Sequence, residues 1–293
     1  MDDDEVGQAW QSFVDALGDA GRELAAAHPA DADEWELADG YRALLRGLGN
    51  QLGRFEVDRD RPELVPFNGW RQKFFMDNPD VRYWVADLRA GSSYVLRGAR
   101  GHAAYLSITA YAPRGSAGAV ATARIDVDDL ELDAAGGYEL SIGPGSGDGG
   151  RPHLELSDDT TVLWVRHFLD DPARDDPTTD DVWWCRIDVL DEPPAPAPIE
   201  PARFAHELRR LSSTMSMLPP VFAASSAADL EHPNELRRWT QMTGGAAYTE
   251  PGIEYLRGGW RLDPGEALVV EGEVPECRWW DVVLHSRHLN SLD

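Results

Sequence analysis

The middle of the chain has a two-residue hydrophobic period, and this feature constrains the fold more than any other. From about Phe67, apolar and polar residues alternate in short runs that end at Gly, Pro or Asp, which is typical of β-strands. No helical period interrupts these runs, so the sequence predicts an antiparallel sandwich or barrel. The predicted strands are Tyr94–Arg97, Ala104–Thr109, Tyr138–Ile142, Leu154–Leu156, Val162–Phe168 and Val182–Leu190.

One predicted strand is apolar on both faces. Thr161–Leu169 has large apolar side chains at odd and at even positions, which indicates a central strand that is covered on both sides. Arg166 and His167 point to opposite faces of it, so at least one of them is expected to be buried. Because a buried arginine needs a carboxylate partner, Arg166 is either half of a structural ion pair or an anion-binding residue in a cleft.

Helical periods of three and four residues lie outside the strand-rich region. Apolar stripes run from Val6 to Leu24 and from Trp35 to Leu52, and a third begins at Phe204. The sequence therefore predicts an α+β fold with antiparallel β-sandwich or jelly-roll-like sheets and with N-terminal and mid-chain helical segments. The predicted division is a helical segment at 1–66, a β-sandwich domain at 67–191, a Pro-rich linker at 192–201, and a helical segment followed by a C-terminal β-hairpin region at 202–293.

A turn-and-strand motif recurs in the chain. Leu88–Gly98 matches Leu262–Gly272 without a gap, and a weaker version begins at Leu132. In each copy a glycine, which adopts positive φ at no steric cost, precedes an apolar strand. The repeat therefore predicts a recurring hairpin unit, with strands resuming at Trp260.

The charge of the chain excludes several classes of partner. Asp and Glu number 52 and Lys and Arg number 27, which gives a net charge of −25. Such a chain would be repelled by nucleic acid and by an anionic membrane surface. No apolar run is long enough to span a bilayer, and the chain begins with acidic residues rather than a basic signal region. We therefore expect a soluble, acidic, cytoplasmic protein.

No cofactor or metal is predicted. Gly145–Gly150 formally satisfies G-x-G-x-x-G, but predicted strands flank it on both sides, whereas a dinucleotide site needs a helix after it. Cys185 and Cys277 are the only cysteines and are far apart, so neither a disulfide framework nor a zinc site is indicated.

Five segments carry a resemblance to a known family. Asp77–Tyr83, Tyr94–Gly98, Ala104–Thr109, Cys277–Trp280 and Asn290–Asp293 resemble the domain of unknown function 1214 family, and the resemblance covers roughly residue 67 to the end. It implies a β-sandwich of jelly-roll type with attached helices, and it implies no catalytic residues. Similar proteins continue beyond the last of these segments, so the resemblance also implies a last sheet that exposes an edge to another chain.

Candidate catalytic residues lie at the start of the strand-rich region. Asp77, Asp80 and Tyr83 form the densest polar cluster, and paired carboxylates there could act as acid and base. Asp-Asn-Pro-Asp is also ordinary turn chemistry, in which side chains cap backbone amides. His167 completes the candidate set.

Candidate ligand-binding residues are Arg166, Trp184 and Trp280. Each tryptophan belongs to an adjacent Trp pair in a predicted strand, so one ring of each pair faces away from the core. Such a ring can stack on a sugar or an aromatic ligand, or it can be covered by the helices or by the second sheet.

Three functions remain open from the sequence. The leading hypothesis is a ligand-binding or structural β-sandwich module. The first alternative is a hydrolase-like enzyme that acts on a small polar or carbohydrate-like substrate. The second is a subunit of a homo- or hetero-oligomeric assembly that pairs through an exposed C-terminal sheet edge.

Overall fold

The computed structural model describes residues 4–30, 32–55, 57–69, 72–114, 118–147, 149–171, 184–193, 195, 198–239 and 249–292. Within these residues the chain has an α+β fold in which the sheets are mostly antiparallel. Residues 182–183 of the last predicted mid-chain strand and residues 194, 196 and 197 of the predicted linker lie outside the described set.

Three helices are present in the described residues, and two of them confirm the N-terminal predictions. They are α1 (Glu5–Ala27), α2 (Glu34–Leu52) and α3 (Pro201–Asp229). The Asp33 side chain caps the N-terminus of α2, because its Oδ1 accepts hydrogen bonds from the backbone amides of Trp35 and Glu36, both at 3.0 Å. The third helix starts at the last residue of the predicted linker. No described helix is long and apolar enough to cross a membrane.

The helices from both ends of the chain share one hydrophobic cluster. Helix α1 packs mainly on α3, although α2 is nearer to it in sequence. Leu289, close to the C-terminus, joins the same cluster. The segments 1–66 and 202–293, which the sequence separates, therefore contribute to one core. Its buried members are Ala20, Leu24, Ala43, Leu44, Met215, Leu218, Phe222 and Leu289.

The strands form two principal sheets and one short pair. The five-stranded sheet has the order β1-β2-β8-β4-β5, the four-stranded sheet has the order β7-β6-β3-β9, and β10 pairs with β11. All pairings are antiparallel except β6 with β7. The strands are β1 (Val65–Pro66), β2 (Val81–Asp87), β3 (Tyr94–Ala99), β4 (Ala103–Pro113), β5 (Ala119–Asp126), β6 (Gly137–Gly143), β7 (His153–Glu155), β8 (Val162–Leu169), β9 (Cys185–Val189), β10 (Arg237–Arg238) and β11 (Leu256–Arg257).

Strand β8 confirms the prediction of a central strand. It lies between β2 and β4, and seven of its eight residues are buried. Arg166 and His167 are both buried, on opposite faces. The largest hydrophobic cluster takes residues from one face of this sheet, such as Leu163 and Val165, and from the four-stranded sheet, such as Leu96 and Leu140.

The prediction that strands resume at Trp260 is wrong, although the short antiparallel pair of β10 and β11 does follow α3. Residues 258–284 are all described, and none of them lies in a strand. A strand requires a hydrogen-bonded neighbour, and the apolar run Leu268–Val270 has none within the described chain. Its side chains face solvent. This segment has residues of high β-propensity, but no partner strand lies beside it.

The turns of the recurring motif do form. Gly91, Gly136 and Gly265 have φ values of 77°, 80° and 93°, which side chains rarely tolerate. The motif strand follows the first two turns, as β3 and β6, but not the third. The Gly145–Gly150 segment lies between β6 and β7, so strands flank it on both sides, as the sequence predicted. Strands β6 and β7 pair in parallel.

Candidate functional site

The five-stranded sheet carries polar side chains on the face that points away from the four-stranded sheet, here called the outer face. Tyr83 on β2 lies opposite Arg166 on β8, and Arg166 lies opposite Ser107 on β4. Ser107 in turn lies opposite Asp126 on β5. The sheet register thus places four polar residues in one row across four strands, since cross-strand partners share a face.

Glu250 covers this row from a loop distant in sequence. Its carboxylate is completely buried, and Oε2 accepts hydrogen bonds from Nη1 of Arg166 and from Oγ1 of Thr109, both at 2.8 Å. Nη2 of Arg166 donates to the Tyr111 hydroxyl at 3.0 Å. The Arg166 guanidinium also lies 4.5 Å from the centroid of the Trp164 ring.

Arg124 is the second cation of the cluster. Its Nε donates to Oε1 of Glu250 at 2.5 Å, and its Nη2 lies 3.1 Å from the Asp126 carboxylate and bonds to the Tyr105 hydroxyl. Two guanidinium groups therefore face two carboxylates, and the formal charge of the cluster is zero. Such neutralisation is what buried ions require, because an isolated buried charge is strongly unfavourable.

The tyrosine hydroxyls around this cluster stay protonated at ordinary pH. Burial raises the pKa of Tyr111 to about 12 and also raises the pKa of Tyr255. Burial raises the pKa of Tyr83 strongly, although nearby Arg166 acts in the opposite direction. These phenols are therefore neutral groups that can donate and accept hydrogen bonds, and they are poor bases.

Ser107 has an unusual position within this polar face. Its side chain is fully buried, and its Oγ has no hydrogen-bond partner among the described residues. A buried hydroxyl in a folded protein is normally paired. Ser107 is therefore an unsatisfied polar group on the outer face.

The structure places Asp77 and Asp80 in a connecting segment. The Asp77 carboxylate accepts hydrogen bonds from the backbone amide and the hydroxyl of Ser291, at 2.9 and 2.7 Å. The backbone amide of Asp80 donates to Oδ1 of Asn78 at 2.8 Å. This contact is the capping of a turn by a side chain, which was the non-catalytic interpretation of Asp-Asn-Pro-Asp. Asp77 is close enough to Tyr83 to raise the pKa of its hydroxyl, but its own oxygens are engaged by Ser291.

The other candidates lie in different places. His167 points to the face opposite Arg166, where its Nε2 lies 3.2 Å from the backbone oxygen of Ala99. Trp184 precedes β9 of the four-stranded sheet, whereas Trp280 follows Trp279, whose ring packs on Phe168 of the five-stranded sheet. Both rings are about half exposed. Among the candidates, the structure brings Tyr83 and Arg166 together and separates them from His167 and Trp184.

Sequence reasoning missed Glu250, Arg124, Thr109 and Ser107. It correctly required a carboxylate for a buried Arg166, but it had no means of choosing among 52 acidic residues. The polar alternation of β4, with Ser107 and Thr109 inside an otherwise apolar strand, was the available signal, because buried hydroxyls in a central strand need partners.

Comparisons with known proteins add a fold relative. No protein-family model and no curated protein matches the chain. The chain is similar to the crystal structure of an uncharacterised protein from Burkholderia cenocepacia, with 26% identity over 88% of this chain and 70% of that chain and a TM-score of 0.76. The VPA0106 protein from Vibrio parahaemolyticus is 16% identical over 38% of this chain and 31% of its own, with a TM-score of 0.27. Neither name states an activity.

Proposed function

We propose that this chain is a non-catalytic β-sandwich module, with jelly-roll-like sheets, that binds a small polar ligand at the outer face of the five-stranded sheet. The observation that carries the proposal is the Ser107 hydroxyl, which is buried and has no partner among the described residues. An unpaired buried hydroxyl costs about 1–3 kcal/mol. A ligand group that pairs with Ser107 recovers that free energy.

The charge balance of the site favours a neutral ligand. Arg166 and Arg124 are already matched by Glu250 and Asp126, so a bound anion would find no uncompensated cation. The remaining groups are hydroxyls that both donate and accept hydrogen bonds. A hydroxyl-rich molecule of polyol or carbohydrate type matches this chemistry.

The protonation states support binding rather than catalysis. A general acid or base works best when its pKa lies near the operating pH. Burial instead moves the pKa values of Tyr83 and Tyr111 further from neutrality. Both oxygens of the Glu250 carboxylate already accept hydrogen bonds from arginines.

A thermal-melt screen of the full chain against neutral sugars and polyols, with small carboxylates and phosphates as comparison, tests the proposal. We expect a neutral hydroxyl-rich compound to raise the Tm, since a ligand that binds only the folded state stabilises it. Ser107→Ala should abolish this shift while raising the Tm of the ligand-free protein, because it removes an unpaired buried hydroxyl.

Ser141→Ala is the matched control in the other sheet. The Ser141 hydroxyl is already paired with Pro152 O and His153 Nδ1, at 3.1 and 2.8 Å. This variant should lower the Tm and keep the ligand shift. The proposal is wrong if no neutral compound shifts the Tm, or if the shift survives Ser107→Ala unchanged.

The hydrolase-like alternative has less support. It needs Asp77, Asp80, Tyr83, Arg166 and His167 to act together. Tyr83 and Arg166 share the outer face, but His167 faces the other side of the sheet. Turnover of glycoside or ester substrates that is lost in Asp77→Asn and kept in Asp60→Asn would restore it.

The chain is also proposed to belong to the domain of unknown function 1214 family and to reside in the cytoplasm. The Asp77–Tyr83 motif leads from a turn into β2, and Tyr94–Gly98 and Ala104–Thr109 lie in β3 and β4, so these three of the five resembling segments coincide with strands. The acidic composition is compatible with the cytoplasmic assignment and disfavours nucleic acid as a partner.

A further inference from the structure

Residues 262–284, here called the C-terminal arm, expose apolar side chains without lying in a sheet. Val269 and Val282 are 72% and 71% exposed. Several large apolar side chains exposed within one short segment are a feature of surfaces that contact another molecule. The exposed large apolar side chains of the arm are Leu262, Leu268, Val269, Val270, Val274, Trp280, Val282 and Leu284.

The last part of the arm is fixed to the protein with one face outward. The Trp279 ring packs on Phe168 with a centroid distance of 4.9 Å, and Asn78 donates to the Asp281 carboxylate at 2.5 Å. From Trp279 to His285, half-buried and exposed residues alternate, as they do in a strand with one covered face. The arm is thus anchored while its outward side chains remain uncovered.

Two copies of the recurring motif already pair with each other within the chain. Strands β3 and β6 are antiparallel, and Leu96 lies directly opposite Leu140. These leucines occupy the same position of the motif, eight residues after its opening leucine, so a local two-fold axis relates the two strands. The equivalent position in the Leu262–Gly272 copy is Val270.

We propose that residues 266–274 pair antiparallel with the same residues of a second copy of this chain, with Val270 opposite Val270 of the partner subunit. The pairing repeats between two molecules the arrangement that β3 and β6 have within one, and its two-fold symmetry gives a closed dimer. Because β3 and β6 each have neighbours on both sides, neither is available to pair with the arm. This inference is independent of the ligand proposed above.

The charges of the arm are compatible with pairing in this register. Glu271 would lie opposite Val269 of the partner subunit. Glu266 would lie opposite the partner's Val274, and Glu273 opposite the partner's Ala267. No two carboxylates therefore face each other directly. The net charge of −25 on each copy opposes association at long range. At 0.1 M salt this repulsion is largely screened at separations beyond about 10 Å, so the fraction of dimer should rise with ionic strength.

Light scattering of the full chain at several concentrations, in low and in high salt, measures the association. We expect the mass of a dimer, in greater fraction at high salt. The double variant V269P/V270P should be monomeric, since one of the two amides must point at the partner strand and proline removes it. V269I/V270I keeps both amides and should remain dimeric. Both sites are exposed, and circular dichroism verifies the fold of each variant.

Cross-linking tests the register. In a Cys277→Ser background, Val270→Cys should form a disulfide-linked dimer under mild oxidation, because directly opposed residues of antiparallel strands lie about 4.5–5.5 Å apart at Cα, within disulfide range. Val14→Cys, at a valine on α1 that is 43% exposed against 57% for Val270, should not cross-link. A monomeric wild type in high salt overturns the proposal, as does a dimer that survives V269P/V270P and does not cross-link at position 270.

Discussion

Nη1 of Arg166 lies 2.8 Å from Oε2 of Glu250, although the two residues are 84 positions apart in the chain. Both side chains are almost fully buried. Through this pair, the segment that carries Glu250 is attached to the centre of the five-stranded sheet. The ion pair therefore links a distant part of the chain to the strand on which the sheet is centred.

Removing Glu250 should destabilise the protein strongly. Glu250→Ala leaves Arg166 buried without a counter-ion, and losing one partner of a buried pair costs about 3–5 kcal/mol. Urea unfolding followed by tryptophan fluorescence measures the change in the free energy of unfolding. Asp19→Ala, which breaks the exposed Asp19–Arg22 pair, should change it by less than about 1 kcal/mol. Equal effects of the two variants would contradict a stabilising role for the buried pair.

Two glycines at matched positions of the recurring motif should respond differently to alanine. A Cβ at Gly98 would lie 2.8 Å from the Trp184 carbonyl oxygen, a backbone atom that cannot move easily, whereas a Cβ at Gly272 would meet nothing within 4 Å. Gly98→Ala is therefore expected to cost about 1–3 kcal/mol through overpacking. Gly272→Ala should stay within about 0.5 kcal/mol in the same thermal unfolding assay. A similar loss in both would indicate that the arm is packed like β3.

The parts of the fold that sequence predicted are those fixed by local patterns. Helices α1 and α2 follow from their apolar stripes, and the central position of β8 follows from apolar residues on both of its faces. The same strand pattern predicted that Arg166 or His167 is buried, and both are. In each case the apolar pattern of the element itself shows which of its faces are covered by the rest of the protein.

The parts that sequence missed depend on partners far along the chain. Leu268–Val270 has the apolar character of Val95–Leu96, but only the latter has strands on both sides. Nothing local distinguishes the two segments, so strand propensity predicted both. The choice of Glu250 as the partner of Arg166 is likewise a result of loop placement, which no short-range period encodes.

A leucine close to the C-terminus should matter for the N-terminal helices. Leu289 is buried in the cluster formed by α1, α2 and α3, so Leu289→Ala should lower the free energy of unfolding by about 2–5 kcal/mol through lost burial and the remaining cavity. Leu45→Ala removes an exposed leucine from α2 and should have an effect within about 0.5 kcal/mol. If helical circular dichroism melted at an unchanged temperature in Leu289→Ala, the shared core would be refuted.

His285 should make stability fall in mild acid. Burial lowers its pKa in the folded state, where its Nε2 lies 2.9 Å from the backbone oxygen of Asp77. The unfolded chain binds this proton near the ordinary value of about 6.5, so below that pH protonation favours the unfolded state. The free energy of unfolding should therefore be insensitive to this group above about pH 7 and should decrease as the pH falls from about 6.5 towards the lowered folded pKa.

The replacement His285→Gln should remove this decrease. Urea unfolding between about pH 7.5 and about pH 5 should show the stability difference between wild type and variant narrowing as the pH falls, because only the wild type loses the contribution. Val282→Gln changes the same segment without a titrating group, so its difference from wild type should stay constant over that range. If the difference in the free energy of unfolding between wild type and His285→Gln widened in acid, the folded protein would stabilise the protonated imidazole. Burial has the opposite effect.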